Sequence, residues 1–183
     1  MTKPPALHEG RTLILGPSQT GKTRRTARAL ESWIDEEGTD GVVVLDFAPE
    51  FERDGTILGG RLDRFTTIPD AVWYGVIEAH APRAEGETPE ETQALARENA
   101  TMARQVIEAC PDPVAAFVND ATIPFQHDSL EPERLTNALD SADHVVLNAF
   151  ESEELGTDDP VSRREKAVLD EFRAWSDRTI DLG

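Results

Sequence analysis

The sequence predicts an α/β fold, a three-layer sandwich with a mostly parallel central sheet between helices. Three observations predict it. Short runs of β-branched and aliphatic residues alternate with amphipathic stretches along the chain. One run, at residues 41–46, is apolar almost throughout, as expected of a strand buried on both faces. The first run also passes through a glycine-bounded turn straight into the first amphipathic stretch. With 183 residues, 38% of them aliphatic or aromatic, one domain over 1–183 around a single core is expected.

The elements follow in order. Residues 12–15 (TLIL) predict a strand. Residues 23–37 predict a helix with Ala27, Leu30 and Ile34 on one face, stopped at Gly38. The run at 41–46 (GVVVLD) is the next strand. Residues 47–70 read as a loop region with a turn at Gly59-Gly60, and 72–79 (VWYGVIEA) as a third strand weakened by Gly75. A helix start follows, with Thr88 as N-cap, Pro89 at the first helical position and Glu91 completing a capping box. Leu95, Met102, Val106 and Cys110 mark its apolar face until Pro111 and Pro113 end it. Asn99 falls on that stripe and is expected to be buried with its hydrogen bonds satisfied. Then come a strand at 114–118, a helix at 132–141 carrying Leu135 and Leu139, and a strand at 144–147. Asp159-Pro160 opens a last helix bearing Val168, Phe172 and Trp175, and 179–182 is the final strand. The acidic stretch 149–159 reads as a mobile or solvated loop.

The charge is far from balanced: 36 acidic against 18 basic residues, a net −18. The acid is spread along the chain and forms no tail. That is the pattern of a surface adapted to high salt, where self-repulsion is screened, and a halophilic, archaeal source is the expectation. Such a surface argues against nucleic acid as a partner, because affinity for duplexes comes largely from Lys and Arg. A single cysteine, Cys110, excludes an internal disulfide. Residues 1–11 hold no apolar signal-peptide core and no run approaches a membrane span, so a cytoplasmic protein without a membrane partner is expected.

Gly16-Pro17-Ser18-Gln19-Thr20-Gly21-Lys22-Thr23 fits G-x-x-x-x-G-K-[ST] in full, between a predicted strand and a predicted helix. Its glycines let backbone N–H groups turn inward around phosphate oxygens, and the positive end of the following helix adds to this anion site. Lys22 would reach the β- and γ-phosphates and the Thr23 hydroxyl would ligate Mg²⁺. Lys22 is one of only three lysines, with Lys3 and Lys166.

The segment at 13–23 (LILGPSQTGKT) resembles the Walker A element of P-loop NTPases, and the alternating order of elements extends the resemblance over the chain. The resemblance implies ATP and Mg²⁺ as ligands, phosphates at the C-terminal edge of a parallel sheet, and a strand-end Asp that holds the metal through water. Two residues compete for that place. Asp46 ends the better apolar run, whereas Asp120 ends 114–120 (VAAFVND), nearer to where such families place it, and is favoured. Asn119 opens an alternative in which it takes the metal position and Asp120 serves as general base. Lys22 and Asp120 are therefore the expected catalytic residues, and Thr23, Asp46 and Asp120 the expected metal residues.

The function expected is ATP hydrolysis or phosphoryl transfer to a small-molecule acceptor. The alternative is a nucleotide-dependent switch or assembly ATPase with a protein partner. A further reading is a module whose fold nucleotide merely stabilises. The order of later elements and the end at 176–181 (SDRTID) also resemble corrinoid adenosyltransferases, from whose phosphate loop Gln19-Thr20 departs; adenosylcobinamide kinases are a related resemblance. Arg83 reads as a solvated loop residue, or one touching a phosphate or second substrate. Arg163-Arg164 balances nearby carboxylates or stabilises developing phosphate charge. Asn148 ends its strand within possible reach of the base. No His/Cys cluster has metal-ligand spacing and no nucleophile-elbow pattern is present.

Overall fold

Side chains of a strand alternate between the two faces of a sheet, so a strand apolar at every position must be covered on both sides. The computed structural model describes residues 9–153 and 157–183, with residues 51, 53 and 56–59 described by their backbone. In it, six strands form one wholly parallel sheet: β1 (Gly10–Gly16), β2 (Val42–Asp46), β5 (Trp73–Val76), β6 (Ala115–Asn119), β7 (His144–Phe150) and β8 (Arg178–Asp181). Their spatial order is β5-β2-β6-β7-β1-β8. Every residue of β2 and β6 is buried.

The alternation sorts the core into two layers. Ile14, Val42, Val44, Ala115, Phe117 and Val146 face α1 (Lys22–Glu37), which lays Ala27, Leu30 and Trp33 on them. Leu13, Leu15, Val43, Leu45, Ala116, Val118, Val145 and Leu147 face the other way. They are covered by α3 (Pro89–Ala109), α4 (Glu133–Leu139) and α5 (Pro160–Trp175). The short α2 (Pro82–Glu85) precedes α3. The acid sits on the outer faces: Glu31, Asp35, Glu36 and Glu37 of α1 and Glu90, Glu91, Glu98 and Glu108 of α3 are exposed. No helix among the described residues is long and apolar enough to cross a membrane.

Four local expectations are corrected. Residues 47–70 are not simply loop: β3 (Glu50–Arg53) and β4 (Thr56–Gly59) form an antiparallel hairpin, followed by a 3₁₀ turn at Leu62–Arg64. Its turn is Asp54-Gly55, with φ of 52° and 77°, the double positive φ that Asp-Gly favours in two-residue hairpins. The buried stripe of α3 is Ala96, Asn99, Ala100, Ala103 and Ile107, while Leu95, Met102, Val106 and Cys110 line its half-buried flank. Small residues turn inward because α3 packs closely on the sheet. The Glu91 side chain accepts from the N–H of Glu87 at 2.8 Å, one residue before the expected partner, while Thr88 caps the N–H of Glu91 as its type predicts. The acidic stretch at 149–159 is shorter as a loop than expected, since β7 runs to Phe150 and Asp159 caps α5; residues 154–156 lie outside the described part.

Gly75 shows how tight the α3 contact is. A Cβ there would lie 2.5 Å from Val106 Cγ1 and 2.7 Å from the Trp73 ring. Gly75→Ala should therefore destabilise the fold by about 1–3 kcal/mol, the usual cost of overpacking, read as a lowered urea midpoint at unchanged m-value.

Candidate active site

The direction of the crossovers reverses between two neighbouring strands. From β1 the chain passes to β2 by way of α1, beyond β7 and β6; from β7 it passes by way of α5 to β8, beyond β1. Open α/β sheets leave a crevice for ligands at such a place, outside the carboxyl ends of the strands. A cavity of about 660 Å³ lies there.

One wall is residues 18–24, which carry the chain from β1 into α1. Gln19 (φ 60°) and Gly21 (φ 87°) both adopt the left-handed conformation, and Gly21 does so as the residue before the helix, where a side chain would be strained. The first-turn N–H groups of α1 have no intrahelical acceptors, and the residues Lys22, Thr23 and Arg24 of that turn line the cavity. Lys22 is 7% exposed, and its Nζ donates to the Pro17 carbonyl across the loop. Thr23 Oγ1 donates to Asn119 Oδ1 at 3.2 Å, joining the loop to the end of β6.

Behind that contact lies a buried polar network spanning three strands. Asn119 is fully engaged. Its Oδ1 accepts from Thr23 and from Asn148 Nδ2 (3.0 Å), while its Nδ2 donates to Asp46 Oδ1 and to the Gly60 carbonyl, each at 2.9 Å. Asp46 pairs with Asn119 in the β2–β6 register. Its other acceptor sites take the N–H of Leu62 (2.7 Å), the Tyr74 hydroxyl (2.8 Å) and the N–H of Ala48 (3.4 Å). Burial raises the Asp46 pKa, and the hydrogen bonds from Leu62, Asn119, Tyr74 and Ala48 pull it back. Burial and the Asp46 charge together raise the Tyr74 pKa, so the phenol stays a donor. Asp46 does not line the cavity; its oxygens are spent on fixing the loop that carries Leu62.

Asp120 does line the cavity. It follows β6 in the left-handed conformation (φ 53°), which Asp tolerates better than most residues, and its N–H is held by Asn148 Oδ1 at 3.0 Å. Its pKa is pushed up to about 7, chiefly by desolvation; Lys22 opposes the shift, and Asp46 and Glu165 add to it. Asn148, expected at a strand end near the base, instead lies inside β7 and clamps Asn119, Asp120 and Thr26, the last at 2.8 Å.

The remaining wall is built by α2, the segment after β6, the end of β7, and α5. Glu165 is 4% exposed and accepts from Arg83 Nη2 (2.8 Å), Thr122 Oγ1 (3.0 Å) and Gln126 Nε2 (2.8 Å). Arg83 thus belongs to a helix and an ion pair, not to a solvated loop. Arg164 holds the Phe125 and Leu130 carbonyls, and Arg163 is exposed. Asn99 is satisfied as expected, donating to the His80 carbonyl and accepting from its N–H.

The loop 16–23, Thr23 and Asp120 are brought together; Asp46 stands one strand behind them. Sequence reasoning missed Glu165, Thr122, Gln126 and Phe150, all on the cavity wall. A glutamate on an otherwise apolar helical stripe with Val161, Val168 and Phe172 was the available signal for the first of them. Among the described residues no group of three or more His, Cys, Asp or Glu is placed to hold a metal ion. The donors at the loop are oxygens, Thr23 and, behind it, Asn119 and Asp120, which suits a hard cation carried in mainly by phosphate oxygens. No family model matches the chain, and no curated protein matches it in sequence.

Proposed function

We propose that the chain is a P-loop nucleoside-triphosphate-binding enzyme that cleaves the terminal phosphate of ATP. The observation that carries the reading is convergence: Lys22, Thr23 and Asp120, from two separate strand ends, face one cavity at the crossover reversal. The loop N–H groups and Lys22 would bind the β- and γ-phosphates, and Thr23 would hold Mg²⁺, with Asn119 beside it. Mg²⁺ would neutralise charge on the phosphate oxygens.

Within this reading Asp120 is the general base, and the metal-facing position on β6 belongs to Asn119, which touches Thr23 directly. The attacking O–H, from water or a small hydroxyl acceptor, gives its proton to Asp120 as its oxygen bonds to the γ-phosphorus. The bond to the bridging oxygen breaks and ADP leaves. A carboxyl with a pKa near 7 is well matched to that task at neutral pH.

Calorimetric titration of the protein with Mg-ATP in molar KCl tests the reading, since the acidic surface calls for salt. A saturable heat with one site is expected, together with phosphate release or transfer on incubation. Lys22→Ala should weaken binding by about 10- to 100-fold, the worth of a charge-assisted hydrogen bond. No heat with any Mg-nucleotide would end the proposal.

A further inference from the structure

We propose that Arg83 supplies a second cation to the terminal phosphate, and that its pairing with Glu165 is the resting position from which it moves. The inference rests on the nucleotide reading above and adds a residue from outside the phosphate loop.

Arg83 projects from α2 into the cavity wall, with its side chain about 10% exposed. Nη1 donates to Ser162 Oγ at 3.0 Å and Nη2 to Glu165 Oε1 at 2.8 Å. A guanidinium has five N–H donors, so these two bonds leave it able to grip a second anion. Its Cζ lies 5.6 Å from the centre of the Phe150 ring, and Lys22 Nζ lies 6.0 Å from the same ring. The two cations are therefore within about 12 Å of each other. Two cations holding one phosphate from opposite sides stand about 8 Å apart, given N···O contacts of about 2.8 Å. Since about 12 Å is the largest separation those distances allow, a side-chain rotation of a few ångströms at most, on the order of one rotamer change, brings both cations onto one phosphate.

Glu165 is arranged to allow the exchange. Stripping a buried carboxylate of its only partner is strongly unfavourable, but Glu165 keeps Thr122 Oγ1 and Gln126 Nε2 on its other oxygen when Arg83 leaves. A terminal phosphate carries more charge than one carboxylate and outcompetes it. Once that phosphate has gone, Glu165 reclaims the guanidinium. Arg83 then discriminates triphosphate from diphosphate and stabilises the charge that spreads over the transferring group.

The test compares wild type, Arg83→Ala, Arg83→Lys and Glu165→Gln. Each is titrated with Mg-ADP, and with Mg-ADP plus aluminium fluoride as a mimic of the transferring phosphoryl group, and assayed for Mg-ATP turnover. Arg83→Ala should bind Mg-ADP within about twofold of wild type. It should lose about 100-fold in affinity for the fluoride complex and about 10³-fold or more in kcat, with Arg83→Lys intermediate. Glu165→Gln weakens the resting pair and should raise the preference for the fluoride complex over ADP. A purely structural ion pair predicts losses of the same sign from both ends. Same-direction losses, or Arg83 variants that match wild type, overturn the inference while leaving nucleotide binding intact. Failure of wild type to bind Mg-ADP sinks the underlying reading and the inference with it. Arg83→Lys and Glu165→Gln keep the side-chain volume and so preserve the comparison should Arg83→Ala fold poorly.

Discussion

Asn119→Asp is expected to destabilise the protein by about 3–5 kcal/mol above pH 7, the range for an uncompensated buried charge. The amide nitrogen of Asn119 points at the Asp46 carboxylate and the Gly60 carbonyl. Aspartate puts an acceptor against both, and two carboxylates meet on paired strands. The loss should shrink as the pH falls, because a shared proton relieves like-charge repulsion between such acids. In thermal denaturation it amounts to a fall on the order of 10 °C for a chain this long.

The partner substitution makes the argument sharp. Asp46→Asn combined with Asn119→Asp restores one amide facing one carboxylate. The amide introduced on β2 can still accept from Leu62 or Tyr74, and its NH₂ can donate to the carboxylate introduced on β6. The pair should recover most of the lost stability, giving a coupling well above the few tenths of a kcal/mol seen between independent sites. The same double variant sets a carboxylate beside Thr23, so under the nucleotide reading it should need less Mg²⁺ for half-maximal ATP binding. Additive destabilisation would mean that the Asp46–Asn119 contact has been misjudged.

Under the nucleotide reading, Asp120→Asn should lower turnover by about 10²- to 10⁴-fold, the usual worth of a general base, while leaving Mg-ATP binding close to wild type. In the wild type, turnover should rise with pH through about 7 and level off, because the base must be ionised. Stability should move the opposite way. The Asp120 pKa is about 7 in the folded protein and about 3.9 unfolded, so between these values the folded state binds the extra proton. Stability therefore falls as pH rises from about 4 to 7, and is lowest where the base is active. The amide of the Asp120→Asn variant carries no such charge, and asparagine accepts the left-handed backbone. The variant should therefore be more stable than wild type at pH 8, by about 1–3 kcal/mol after allowing for solvent at the cavity mouth, and the gap should close toward pH 4. Equal melting temperatures at pH 8 would count against desolvation as the cause of the shift.

Much of this was legible in the chain. The loop 16–23 was found from residue types alone because each has a local duty: glycine for the left-handed turn, lysine for charge, threonine for a hydroxyl at the helix start. Strands such as 41–46 were legible because burial on both faces leaves no room for polar residues. The Asp54-Gly55 turn is equally local, since Asp-Gly is itself a two-residue hairpin signal. The flank of α3 was misjudged because large apolar residues dominate a pattern, whereas close packing against the sheet, visible at Gly75, puts alanines at the contact.

What the sequence by itself determined is the alternating order of elements, the glycine-bounded turn at 16–23 and the acidic surface, because each follows from periodicity, spacing or composition along the chain. Which carboxylate faces the cavity was decided only by the tertiary structure. Asp46 and Asp120 each follow an apolar run, and sequence cannot say that Leu62, Tyr74, Ala48 and Asn119 converge on the first. The wall of Arg83, Thr122, Gln126 and Glu165 likewise exists only once the sheet order has brought three separate segments together. Hydrogen bonds between such distant residues depend on strand order, and strand order is set by how the two faces of the sheet pack.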